Sequence, residues 1–138
     1  MALIAQSELV RLMAVPYLRR GRDTKGWDCY GLYRYMLHQE FGVEVHSFEE
    51  YPTEHGRVAD LAITEAIHRR IPLWSRVERG SEFRGCGVVF NVAGNPLHVG
   101  YILEPGTMLH AMEGRGTCIE RYDSLNWVKR IEGIYKWN

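Results

Sequence analysis

The sequence predicts an α+β domain on three observations. Apolar residues recur at helical spacing up to about residue 71. The remainder is filled by short runs rich in β-branched and aromatic residues, separated by turns that carry glycine or proline. The 138 residues suffice for one ordinary core and are too few for two. Helices followed by antiparallel strands is the α+β order. The expectation is N-terminal helices packed on a C-terminal antiparallel sheet, in a single domain over residues 1–138.

The elements follow in chain order. Ser7 is placed to cap a short helix in which Leu9, Val10, Leu12 and Met13 share a face, ending before Pro16. Gly21 to Gly26, with two glycines around a charge cluster, reads as a loop. From Asp28 the period is helical again: Leu32, Tyr33, Met36, Leu37 and Phe41 form a stripe, and Gly42 stops it as a C-terminal cap. Val58, Leu61, Ala62, Ala66 and Ile67 suggest a third helix over 58–69. Strands are expected at 86–92, 97–103, 107–112, 117–122 and 129–135, arranged as an antiparallel meander.

Composition excludes several classes of function. Seventeen basic and seventeen acidic residues cancel, so no strong field draws the chain to nucleic acid or to an anionic membrane. Apolar residues make up 46% and charged residues 25%, the mix of a globular protein rather than a disordered one. The longest apolar runs are far shorter than the roughly 18 residues of a membrane span. Glu8 and Arg11 interrupt the apolar start and no basic residues precede it, so no signal peptide is expected. Cys29, Cys86 and Cys118 are odd in number, widely spaced and without a CxxC pair, which argues against a disulfide framework and for a reduced compartment.

Chemistry concentrates at three residues. Asp28 is a preferred N-cap, which puts Cys29 in the first turn of the helix, where unpaired amides and the helix dipole favour a thiolate. Gly31 would leave room beside the sulfur. The competing reading of Cys29 is a small buried hydrophobe. A cysteine nucleophile needs a base, and histidine is the usual one. His38 lies nine residues along the same helix, about 13 Å away and out of reach. His46, His55 and His68 lie among charged residues and read as surface. His98 and His110 instead interrupt apolar strands, where a polar side chain needs a partner or a task.

Parity tests that pair. With Leu103 opposite Thr107, Gly100 faces His110 and His98 faces Met112. The two histidines are then diagonal neighbours on one face, roughly 7–8 Å apart at the backbone. A slip of one residue would separate them. Gly100 would leave space for a substrate backbone. Local hydrogen bonds to each histidine are the alternative. Cys86, His98, His110 and Cys118 offer zinc-ligand residue types, but gaps of eleven, eleven and seven residues match no compact ligand spacing. No metal or cofactor is expected.

These motifs resemble the NlpC-type cysteine peptidases, papain-like enzymes that cut bacterial peptidoglycan. The family's pattern reads here as Pro16-Tyr17, Asp28-Cys29-Tyr30-Gly31, Gly87-Val88-Val89-Phe90, His98-Val99-Gly100 and Leu109-His110-Ala111. The resemblance runs from about residue 10 to the C-terminus. It is closest to a short phage and prophage branch associated with tails, through Gly21 to Val43 and through Trp127 to Tyr135. The chain departs from cellular members at Tyr30, where they have serine, at Leu18-Arg19-Arg20-Gly21, where they have Trp-Gly-Gly, and at Gly87-Val88, where they have Gly-Asp.

The resemblance implies a papain-like fold and assigns roles. Cys29 would be the nucleophile, His98 its base and then the acid for the leaving amine, and His110 the residue that orients His98. The Cys29 backbone N–H would hold the oxyanion with Tyr17 near it, and Asp28 and Tyr30 would border the substrate. The implied substrate is the γ-D-glutamyl–diamino acid bond of a peptidoglycan stem peptide. Tail incorporation, with other tail proteins as partners, would deliver the enzyme to the wall. The competing functions are a structural tail protein with weak or no activity and a related thiol amidase or acyltransferase. The segment 44–82 resembles nothing specific, and Phe48-Glu49-Glu50-Tyr51 in it would line a cleft or dock on a partner.

Overall fold

A computed structural model describes residues 3–45, 74–92 and 95–137. The helix expected at 58–69, and Phe48 to Tyr51, lie outside the described residues. The described part has two α-helices, α1 (Gln6–Leu12) and α2 (Cys29–Phe41). A two-stranded hairpin, β1 (Arg22–Asp23) and β2 (Gly26–Trp27), lies between them. The remaining strands are β3 (Trp74–Val77), β4 (Gly87–Val92), β5 (Asn95–Glu104), β6 (Thr107–Met112), β7 (Gly116–Arg121) and β8 (Ile131–Trp137). A 3-10 turn, Val128–Arg130, precedes β8. The α+β class is the predicted one.

Four details differ from the sequence reading. Ala5, not Ser7, stands at the N-cap of α1, and no side chain caps the helix. The glycine-flanked loop at 21–26 closes into the β1–β2 hairpin. Trp74–Val77 forms a strand too short to register as a period. The antiparallel sheet has the order β3-β8-β4-β5-β6-β7, so only β4 to β7 form a meander. The last strand returns to lie between β3 and β4.

Strand alternation divides the core. Odd-numbered Tyr101, Leu103, Leu109 and Ala111 face α1 and α2, packing with Leu9, Leu12, Leu32, Tyr33, Met36 and Leu37. Even-numbered Val88, Phe90, Ile102 and Met108 join a second cluster with Cys86, Tyr122, Trp127 and Ile134. Each large side chain removed from water this way contributes about 1.5–3 kcal/mol. Gly100 belongs to the second face, and a Cβ there would lie 2.5 Å from the Met108 sulfur. Its missing side chain therefore admits Met108 rather than a substrate backbone.

A polar clamp ties the helical layer to the sheet. Glu40 near the end of α2 is fully buried. It accepts hydrogen bonds from the Ile4 amide at 2.8 Å, the Tyr101 hydroxyl at 2.6 Å and the Arg84 guanidinium at 2.6 Å. Burial alone would raise the Glu40 pKa, but these bonds outweigh it and hold the carboxyl below its ordinary value. Gly42 ends α2 in the left-handed conformation, φ 68°, as its cap position requires. Among the described residues no helix is long and apolar enough to cross a membrane.

Candidate active site

The start of α2 is built by the residues just before it. The Trp27 indole donates to Thr117 Oγ1 at 2.8 Å, and that hydroxyl donates to the Val15 carbonyl at 2.9 Å. Asp28 is extended, and its carboxylate accepts from the Gly31 amide at 2.8 Å, the N-cap bond expected from sequence. The same carboxylate takes the Arg20 amide at 3.2 Å and Arg22 Nη1 at 2.9 Å. A Cβ on Gly31 would lie 2.1 Å from the Gly21 carbonyl oxygen. Gly31 is thus required for the hairpin to close on the helix, and the hairpin fills the space that sequence reading gave to the sulfur.

Cys29 opens α2 half-buried, with the backbone amides of Val99 and Tyr30 near enough to favour its thiolate. That places it against β5, at the residue that follows His98. Burial, then the Asp28 carboxylate, push the thiol up to about 12, although the two amides and Arg22 pull the other way. The helix start alone predicts a thiolate. Desolvation overrides that preference and favours the protonated sulfur.

The register of β5 with β6 is the one parity required, Tyr101 opposite Leu109 and Ile102 opposite Met108. A shift at the turn pairs Glu104, not Leu103, with Thr107. His98 Nε2 lies 2.8 Å from His110 Nδ1. On β7, Cys118 pairs with His110, so Glu120, two residues on, shares that face. His110 Nε2 lies 2.9 Å from Glu120 Oε1. The other Glu120 oxygen accepts from the Trp127 indole at 3.2 Å, and Arg115 Nη1 lies 3.2 Å from Oε1. Trp127 also stacks on His98, ring centroids 5.4 Å apart and 18° from parallel.

This line of contacts fixes the protons. An ionised Glu120 only accepts, so His110 carries its proton on Nε2. His110 Nδ1 then accepts, so His98 carries its proton on Nε2 and keeps a lone pair on Nδ1. Burial, then the proximity of His110, pull His98 down to about 3. His110 is lowered by burial against the opposing pull of Glu120. Burial would raise Glu120, but bonds from Trp127 and His110 outweigh it and keep it ionised. Burial thus disfavours the charged form of both histidines, and the contacts define the tautomer of each neutral ring.

The remaining sequence candidates separate. Tyr17 bridges Trp27 in parallel fashion, and its phenol is raised by burial first and then by the nearby Cys29 and Asp28. Tyr30 is buried in the helical core with the Arg22 guanidinium 5.3 Å over its ring. Asp28 commits its carboxylate to the same loop. His38 is exposed and pairs with Glu44 at 2.7 Å. His46, His55 and His68 lie outside the described residues. Glu120 and Trp127 were missed by sequence reasoning. Strand parity carried from β5 and β6 across the next turn puts Glu120 on the face of His110.

The fold has counterparts in known proteins. A lipoprotein-like NLP/P60 protein of Staphylococcus aureus matches with TM-score 0.66 and 18% identity, over 95% of this chain and 39% of its own. The NlpC/p60 domain of the peptidoglycan hydrolase SagA matches with TM-score 0.56 and 19% identity, over 93% and 92%. The peptidoglycan hydrolase RipB of Mycobacterium tuberculosis gives TM-score 0.50 and 17% identity, over 96% and 67%. This chain thus spans about two fifths of the staphylococcal protein. No curated protein matches it. The NlpC/P60 family model covers residues 14–136, from before Tyr17 to beyond Trp127, and with that reach over every residue of the site the chain belongs to the NlpC/P60 family.

Proposed function

We propose that the protein is a cysteine peptidase that hydrolyses the γ-D-glutamyl–diamino acid bond of peptidoglycan stem peptides. The observation that carries this reading is the hydrogen-bonded line from His98 through His110 to Glu120, beside a helix that opens on Cys29. In this mechanism His98 Nδ1 takes the thiol proton as the sulfur attacks the scissile carbonyl carbon. Both groups rest neutral, so proton transfer accompanies attack instead of preceding it. The Cys29 backbone N–H stabilises the tetrahedral oxyanion, with Tyr17 beside it. Collapse breaks the C–N bond, and His98 returns the proton to the leaving amine. Water, deprotonated by His98, then hydrolyses the thioester and restores the thiol. The test is digestion of purified peptidoglycan by wild type and Cys29→Ala, with fragments identified by mass spectrometry. New γ-D-glutamyl termini from wild type alone support the reading; none from folded wild type defeats it.

The resemblance of the segments 21–43 and 127–135 to the tail-associated branch extends the proposal. The enzyme is carried in a phage tail or tail-like particle, in contact with other tail proteins, and opens the wall locally for DNA delivery. Purified particles should contain the chain and digest peptidoglycan. Free enzyme with none in particles would exclude this part and leave the peptidase standing.

A further inference from the structure

On the face of β6 and β7 beneath the two histidines, Cys118 joins His110 and Glu120 as a donor that peptide hydrolysis does not use. Cys118 Sγ lies 3.4 Å from His110 Nε2 and 3.7 Å from Glu120 Oε1, while His110 Nε2 and Glu120 Oε1 are 2.9 Å apart. One imidazole nitrogen, one sulfur and one carboxylate oxygen therefore form a closed triangle. Tetrahedral zinc bonds of about 2.0–2.3 Å place their ligand atoms roughly 3.3–3.7 Å apart. Two edges of the triangle already fit, and the third must open by a few tenths of an ångström. We infer that His110, Cys118 and Glu120 form a binding site for a zinc-class divalent metal ion, and that filling it switches the enzyme off.

The chemistry of the donors selects the ion. A thiolate with imidazole and one carboxylate suits Zn2+ or Co2+, whereas Mg2+ and Ca2+ prefer all-oxygen cages. The supporting bonds are in place as well. The Trp127 indole holds the second Glu120 oxygen, and His98 engages the second nitrogen of His110. Arg115, half exposed, shares Glu120 Oε1 and must swing away for the ion to enter. Chain spacing hides the set, because the strand pairing of His110 with Cys118, not proximity in sequence, assembles it.

The effect on the proposed peptidase follows from counting protons, and this part rests on that reading. A metal on His110 Nε2 takes the lone pair that a proton occupied, and the Cys118 thiol proton leaves to solvent. The neutral His110 ring must then carry its proton on Nδ1 and donate to His98 Nε2. His98 is left protonated on Nδ1, the atom that has to accept from Cys29. The base is disabled without any metal contact to the nucleophile.

Metal-free Cys29→Ala protein is titrated with Co2+ and followed by absorbance, with circular dichroism as the control for folding. The expected result is one equivalent bound with a thiolate-to-cobalt charge-transfer band. Cys29→Ala/Cys118→Ser should lose the band and bind more weakly, by more than the roughly 100-fold that loss of a supporting hydrogen bond costs. In the digestion assay stoichiometric Zn2+ should inhibit wild type and have far less effect on Cys118→Ser. A band that survives Cys118→Ser, or no band in Cys29→Ala, overturns the site. Inhibition equal in wild type and Cys118→Ser overturns the switch. The cobalt titration needs no activity, so an inactive wild type that still shows the band defeats the peptidase reading and leaves the metal site intact.

Discussion

Glu120 accepts on both oxygens, from His110 on one side and the Trp127 indole on the other. A glutamine there turns one end into a donor, so it must face either the His110 proton or the indole N–H with the wrong polarity. Glu120→Gln should lower kcat about 10- to 100-fold with little change in KM, as expected when a base sits in the wrong tautomer for most of its time. Steady-state kinetics on a stem peptide separate the two parameters. Equal loss in a variant at Arg115, which touches the same carboxylate, would point to packing instead. The placement of Cys29 at a helix start and the approach of His98 to His110 were legible because they follow from residue type at a helix cap and from strand parity. Glu120 was not, since a carboxylate near a turn looks like surface until the β6–β7 register is known.

Elements carry the site through close approaches that no period reports. The β1–β2 hairpin passes Gly31 with its Gly21 carbonyl where a side chain would stand. Gly31→Ala should cost about 1–3 kcal/mol in urea unfolding and displace the first turn of α2, lowering activity as well. The Glu40 clamp makes a similar demand on the far end of the helix. Arg84→Ala leaves a fully buried carboxylate short of its cation and should destabilise by about 3 kcal/mol, read from denaturant midpoints. The limits of α2 were legible, since Asp28 and Gly42 are both residues that end helices. The hairpin was not, because two-residue strands have no period. The return of β8 between β3 and β4 was hidden too, because a strand's pattern names the face it buries and not its neighbour.

At the scale of the whole molecule, burial of neutral groups makes stability depend on pH. His98 falls from an ordinary value of 6.5 to about 3, so between these values the unfolded chain binds the extra proton. Its contribution is complete above about 6.5 and is lost as pH falls toward 3. Cys29 is raised from 9.0 to about 12, so its contribution is complete below 9 and lost as pH rises. Stability should be greatest between roughly 6.5 and 9. Each limb should slope by up to about 1.4 kcal/mol per pH unit per group. Urea midpoints at stepped pH check this, and His98→Ala should flatten the acid limb. The α+β class itself was plain in the sequence, because helical and strand periods occupy separate halves of the chain.

The central claim is that Cys29, among three free cysteines, is the nucleophile. The most direct measurement compares cleavage of a synthetic stem peptide with a γ-D-glutamyl–diamino acid bond by wild type, Cys29→Ala and Cys118→Ala. The account predicts cleavage at that bond by wild type and Cys118→Ala, and none above background by Cys29→Ala. Cleavage retained by Cys29→Ala, or abolished by Cys118→Ala while that variant stays folded, would contradict it.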